Sequence, residues 1–190
     1  MEIIVIRHGR VNYTWKKWST SEQFNDDCQM YDTAPIFSIS YCIPKDKFYR
    51  IYVSSLSRSK DTAYRIFGDT EYISSCLIDE VPLSASLNTH IKMPLFFWNI
   101  TGRLQWWFNS SKQNEGRKET NLRAGKFVDM LIEKNENCIV VTHGFFMHSL
   151  VAVMKKKISK SRINLYITPM ESVSLLKNKF RFVIEKEQGI

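Results

Sequence analysis

Glu2-Ile3-Ile4-Val5-Ile6-Arg7-His8-Gly9, at the start of the chain, has a distant counterpart in Cys138-Ile139-Val140-Val141-Thr142-His143-Gly144. Each is a short apolar run that closes on a polar residue, a histidine and a glycine. Runs of this length and composition read as strands buried on both faces, and the glycine lets the backbone turn where the strand ends. A histidine at the end of each of two buried strands, one with an arginine beside it, points to a phosphate pocket holding a nucleophile.

The chain between and around these segments alternates strand with helix. Arg50–Ser54 reads as a second strand, and Ser57 opens a helix that runs to Phe67 and stops at Gly68. A third strand is predicted over 71–75. Residues 119–134 form an amphipathic helix, since Ala124, Phe127, Val128, Leu131 and Ile132 recur on one face. The nearly all-apolar segment 145–154 reads as a buried helix. Ser19-Thr20-Ser21-Glu22 offers a capping box for a helix carrying Phe24, Cys28 and Tyr31. Residues 36–46 look like a turn-rich connection, and two last strands are predicted over 173–176 and 180–184 around a Lys177-Asn178-Lys179 turn.

The expected fold class is therefore α/β. The 190 residues suit one domain, 1–190, folded as a three-layer α/β/α sandwich around a mostly parallel sheet. The aromatic segment with Phe96, Phe97, Trp98, Trp106, Trp107 and Phe108 reads as a small cap insertion over one edge. In such sheets ligands bind beyond the carboxyl ends of the strands. Arg7-His8, Ser54-Ser55 and His143-Gly144 all stand at that kind of edge.

The formal net charge of +8 favours an anionic ligand, either nucleic acid or a small phosphate ester. The densest basic run, Lys155-Lys156-Lys157, reads as a solvated helix end that complements the helix dipole. No regular basic or stacking pattern suggests a nucleic-acid groove, so no nucleic-acid partner is expected. No apolar run approaches membrane-spanning length, so no membrane partner is expected. The apolar N-terminus is too short and wrongly flanked for a signal peptide. Cys28, Cys42, Cys76 and Cys138 show no C-x-x-C spacing, which suits reduced thiols in a cytoplasmic protein. Neither a zinc site nor any other metal or cofactor is expected.

A neutral imidazole at His8 is a competent nucleophile toward phosphorus, and its covalent adduct is open to cleavage by water. Arg7 and Arg58 would clamp the phosphoryl oxygens with forked donors, although Arg58 alone also reads as a surface residue of a solvated helix. His143 would donate to the same oxygens and, if cationic, favour the charge of the transition state. His148 is expected in the core or facing a loop, and His90 carries no assignment. A leaving alkoxide needs a proton. Asp79 and Glu80 follow the third strand, point different ways as neighbours in an extended segment, and only one serves as the acid. Asp79 and Glu80 both stay open as that acid, and Glu115 comes next.

Together these residues resemble the histidine phosphatase superfamily, the phosphoglycerate-mutase-like group, and its small phosphatase branch in particular. Arg7-His8-Gly9 is similar to its N-terminal signature, the run from Ser54 to Ala63 to its second block, and Val141-Thr142-His143-Gly144 to its third, in the family's order. The resemblance implies a phosphohistidine intermediate on His8. It also implies a phosphate pocket of Arg7, Arg58 and His143, joined by Asn12, an acid donor after the third strand, with Glu80 favoured and Asp79 the alternative, and no metal requirement. Arg10-Val11 stand where many members have Glu-Thr or Gln-Thr, and the family's glycine- and tryptophan-containing donor motif is replaced by Leu77-Ile78-Asp79-Glu80-Val81-Pro82-Leu83. The implied activity is that of a metal-independent, histidine acid phosphatase-type phosphomonoesterase acting on a small phosphorylated substrate. The competing expectations are a phosphoglycerate-type mutase and a weakly active phosphate-binding or signalling protein on the same fold. The sequence leaves the oligomeric state open.

Overall fold

A computed structural model describes residues 1–38, 49–158 and 164–168. The order is β1 (Glu2–Arg7), β2 (Trp18–Ser19), α1 (Ser21–Thr33), β3 (Arg50–Ser54), α2 (Ser57–Phe67) and β4 (Ile73–Ser75). It continues with a 3₁₀ turn (Cys76–Ile78), β5 (Met93–Pro94), α3 (Leu95–Trp107), α4 (Arg117–Lys134), β6 (Cys138–Thr142), α5 (Gly144–Ile158) and β7 (Asn164–Thr168).

Five strands form one wholly parallel sheet in the order β4-β3-β6-β1-β7. Side chains of a strand alternate between faces, so each central strand feeds two cores. Ile3, Val5, Tyr52, Cys138 and Val140 pack against Phe127, Leu131, Phe146 and Leu150 of α4 and α5. Ile4, Ile6, Ile51, Val53, Ile139 and Val141 face the other way, toward Ala63, Ile66 and Phe67 of α2. The three-layer α/β/α expectation is met. The strand β7 was not anticipated, and the third strand is shorter than expected. The strands expected over 173–184 lie outside the described residues.

Most helices begin and end where their chemistry directs. Thr20 rather than Ser19 caps α1, its hydroxyl accepting from Gln23 N while the Gln23 side chain accepts from Thr20 N. Gly68, at φ 69°, ends α2 as expected. The basic run falls in the last turn of α5, where Lys157 bonds Asp129 and the Gly125 carbonyl.

The aromatic segment is the helix α3, pinned by two indoles. Trp98 is fully buried, donates to the Ser19 carbonyl at 3.1 Å and stacks on Phe24. Trp106 donates to Thr120 Oγ1 at 2.9 Å and meets Phe145 edge-on. Losing either ring would cost about 3–5 kcal/mol. Between them, Gly102 leaves room for the Leu83 side chain and the Ser84 backbone: a Cβ there would stand 2.5 Å from Leu83 Cδ1 and 3.3 Å from the Ser84 carbonyl. A short antiparallel ribbon, β2 with β5, ties the start of α3 to the chain before α1.

Candidate active site

The sheet register assembles the site. Strand β6 lies between β3 and β1, with Arg7 opposite Thr142 and Val53 opposite Val141. Arg7, Ser54 and Thr142 therefore finish at one level of one edge, and His8 and His143 step out of the sheet together, ring centroids 5.0 Å apart. Helices α2 and α5 begin within a few residues of these strand ends, so their free amides and positive dipole ends face the same edge.

His8 is 5% exposed and anchored by backbone and side chain. Its amide donates to the Thr142 carbonyl at 2.8 Å, and the next amide, of Gly9, donates to Thr62 Oγ1 at 2.9 Å. Its Nδ1 lies 2.7 Å from the Gly9 carbonyl, a partner that only accepts, so Nδ1 carries the proton. Nε2 keeps its lone pair. Burial lowers the His8 pKa to about 4; the Gly9 carbonyl opposes this, and the Arg58 and Arg7 cations add to it. The imidazole is thus neutral at pH 7.

His143 is wholly buried, and both its ring nitrogens are engaged. Arg58 Nε donates to Nδ1 at 3.2 Å, so Nε2 carries the proton, 2.6 Å from Ser54 Oγ and 3.2 Å from Ser59 Oγ. Burial, with the Arg58 cation next, pushes its pKa far down. An imidazolium at His143 would be desolvated and would face an arginine, so the neutral form is the favoured one. Instead His143 belongs to a chain of hydrogen bonds that fixes Arg58. Asp79 Oδ1 accepts from Ser54 Oγ at 2.6 Å, Ser54 meets His143, His143 accepts from Arg58, and Arg58 Nη1 reaches Asp32 Oδ1 at 2.8 Å. Arg58 is 1% exposed, so it is no surface residue. Its Nη2 has no hydrogen-bond partner among the described residues.

Arg7 lies over Gly144. A Cβ on that glycine would stand 2.8 Å from Arg7 Nε and 2.9 Å from Cζ, so the bare backbone is what admits the guanidinium. Asn12 has its amide on the Pro35 carbonyl and an exposed side chain. No contact among the described residues ties that side chain to the two histidines. His148 is exposed on α5 rather than buried.

The two carboxylates part company. Asp79 is taken by the serine pair, bonding Ser54 Oγ, Ser55 N and Ser55 Oγ. Glu80 turns to the start of α5: Oε1 accepts from Phe146 N at 2.9 Å and from Val81 N at 3.0 Å, and Oε2 accepts from Phe145 N at 3.3 Å. It therefore sits at the helix end that follows His143-Gly144. Arg123 secures the loop by donating to the Leu77 and Asp79 carbonyls and pairing with Glu115, which removes Glu115 as a free acid. Arg103 of α3 closes the other side, over the Phe145 ring at 3.7 Å and on the Val81 carbonyl. Burial lowers the Arg103 pKa, and the nearby Glu80 charge opposes the shift.

Sequence reasoning missed Asp32, Ser59, Thr62, Arg103 and Arg123. Thr62 stands four residues after Arg58 and three after Ser59, a helical spacing that was available as a signal, since residues three or four apart share a face. Asp32, Arg103 and Arg123 had none. Among the described residues, no group of three or more His, Cys, Asp or Glu is placed to hold a metal ion.

Two buried neutral histidines make stability depend on pH. Their folded pKa values lie below the unfolded value of 6.5, so as pH falls from 6.5 toward 4 the unfolded chain takes up protons first. Stability should therefore drop over this window, by about 1.4 kcal/mol per pH unit for each histidine at most. Urea unfolding at pH 7, 6 and 5 checks this, and a flat profile between 6.5 and 5 would refute it.

No curated protein matches the chain significantly. Two solved structures of phosphoserine phosphatase from Entamoeba histolytica are similar to it: a mutant in complex with phosphoserine (17% identity, TM-score 0.49) and the enzyme in complex with 3-phosphoglyceric acid (16% identity, TM-score 0.45). Each alignment covers 82% of this chain and 81% of the other. The sequence model of the histidine phosphatase superfamily (branch 1) matches residues 41–183, a span that includes Arg58, Asp79, Glu80 and His143. With that match over most of its length, the chain belongs to the histidine phosphatase superfamily, branch 1.

Proposed function

We propose that the chain hydrolyses a small phosphate monoester through a phosphohistidine on His8, with residues 1–190 acting as one catalytic unit. The observation that carries this reading is the state of His8. Nδ1 is committed to the Gly9 carbonyl, Nε2 has no hydrogen-bond partner among the described residues, and two guanidiniums lie near enough to depress the pKa. Nε2 attacks phosphorus, and the bond from phosphorus to the ester oxygen breaks. The Arg7 guanidinium and Arg58 Nη2 hold the three equatorial oxygens while negative charge builds on them. The departing oxygen takes a proton from Glu80. In the second half Glu80 takes a proton from water, the water oxygen attacks phosphorus, the P–N bond breaks, and inorganic phosphate leaves with His8 neutral again. Glu80 Oε2, held only by the 3.3 Å bond, is the oxygen with room for that proton.

In this scheme His143 is a positioning residue that aims Arg58 through its Nε. Asp79 anchors the serine end of the same chain. Asn12 is retained as a phosphate ligand only through family resemblance. No step calls on a metal or a cofactor.

The test is chemical trapping. The enzyme is mixed with a labelled phosphate ester in the presence of EDTA, quenched in base, and digested. A base-stable, acid-labile phosphoryl group on the peptide containing His8, together with release of inorganic phosphate, is the expected result. Label elsewhere, or turnover abolished by EDTA and restored by a divalent ion, would overturn the scheme. Transfer to a second hydroxyl of the substrate without phosphate release would make the protein a mutase.

A further inference from the structure

The outward face of α3 breaks the usual rule. A helix on a domain surface turns its apolar stripe inward and polar side chains outward. α3 buries Trp98, Gly102 and Trp106. On the opposite side, Phe96, Ile100, Leu104 and Trp107 recur one turn apart, and Phe108 follows at the helix end. These five are 50% to 75% exposed. Trp18, 60% exposed, is paired by β2 with Pro94, the residue that precedes the helix. Single exposed apolar residues are ordinary, but an apolar band along a helix of about 20 Å is a contact surface.

The charge along this stretch of sequence is one-sided. From Val81 to Asn114 the sequence holds no Asp or Glu. Exposed Lys17 and Lys92 flank the N-terminal end, where the Lys17 carbonyl accepts from Leu95 N. At the other end Arg117 lies 3.7 Å over the Trp107 ring, and exposed Lys118 joins Asn109 through its amide. The acids nearest that end are occupied: Glu115 pairs with Arg123, and Glu119 accepts from Gly116 N.

We propose that α3 docks in the plane of an anionic phospholipid surface. Its aromatic and aliphatic side chains would enter the boundary between headgroups and acyl chains, with Lys17, Lys92, Arg117 and Lys118 against the lipid phosphates. Tryptophan and phenylalanine flanked by cations suit that boundary. A second copy of the chain suits it less, because pairing this face with itself would oppose two cation-rimmed surfaces on a protein of net charge +8. The expectation of no membrane partner rested on the lack of a spanning run. Among the described residues no helix is long and apolar enough to cross a membrane, and a helix lying in the interface has no need to be.

The experiment is sedimentation of the full chain with vesicles of phosphatidylcholine alone or mixed with phosphatidylserine. The mixed vesicles should bind about tenfold more tightly, less so at high salt, and tryptophan emission should shift to the blue. The double variant Ile100→Glu/Leu104→Glu, changed only on the exposed face, should weaken that binding about tenfold or more while hydrolysing a soluble aryl phosphate at the wild-type rate. Failure of the wild type to bind, equal binding to neutral vesicles, or undiminished binding by the double variant would each overturn the proposal. So would a wild-type dimer in solution that the double variant converts to monomer, since the second copy would then be the occupant.

Discussion

Replacing His8 with alanine should lower kcat/KM by about four orders of magnitude or more, because the covalent route loses its acceptor atom. The protein should still fold. The imidazole contributes one side-chain hydrogen bond, to the neighbouring Gly9 carbonyl, while the anchors of this segment are backbone amides: His8 N on Thr142 and Gly9 N on Thr62. The variant should also lose one of the two histidine contributions to acid destabilisation, so its stability should fall less steeply between pH 6.5 and 5 than that of the wild type. The two readouts test different things. The rate tests His8 as nucleophile, and the pH slope tests its buried, neutral state. Activity within about tenfold of wild type would refute the nucleophile assignment, whatever the slope.

The strands that carry this site were legible because burial on both faces leaves a continuous apolar run, and β1 and β6 each show one. The strand β7, Asn164–Thr168, was not read: its apolar run is Leu165-Tyr166-Ile167, shorter than residues 3–6 of β1 or 138–141 of β6. The two-residue ribbon of β2 and β5 is too short to have a period at all. The α1 cap was read one residue early, because Ser19, Thr20 and Ser21 are all competent caps and tertiary bonds choose among them. Ser21 Oγ is drawn to the Thr89 carbonyl, leaving Thr20 free to cap.

At the site, sequence reached the residues whose chemistry is local and missed those that act through partners. Arg7-His8-Gly9 and Thr142-His143-Gly144 could be named because each carries its histidine, its turn and its strand in one short segment. The chain from Asp79 through Ser54, His143 and Arg58 to Asp32 joins four separate parts of the sequence. No periodicity reports such a chain. The charge state of His143 stayed open for the same reason: an imidazole with polar contacts on both nitrogens looks in sequence like any other histidine before a glycine.

The choice between the two carboxylates yields the second large effect. If Glu80 protonates the leaving oxygen, Glu80→Gln should slow hydrolysis of an alkyl phosphate by about a hundredfold or more while slowing an activated aryl phosphate far less. A good leaving group departs as a stable anion and hardly needs the proton. Glutamine keeps the amide oxygen available to the Phe146 and Val81 amides, so the start of α5 should hold its shape and the loss should be chemical. Asp79→Asn should behave differently. Asp79 accepts from two serine hydroxyls and a backbone amide, and an amide side chain cannot replace all of these acceptances, so the cost should be about 1–3 kcal/mol of stability. Its effect on rate should be modest and the same for both esters, because it reaches the reaction only through Ser54, His143 and the aim of Arg58. Measuring both variants on both esters across pH separates these roles. Leaving-group dependence in Asp79→Asn and not in Glu80→Gln would show that the wrong carboxylate has been assigned. Its absence from both would move the donor away from this loop altogether, since Glu115 is already held by Arg123.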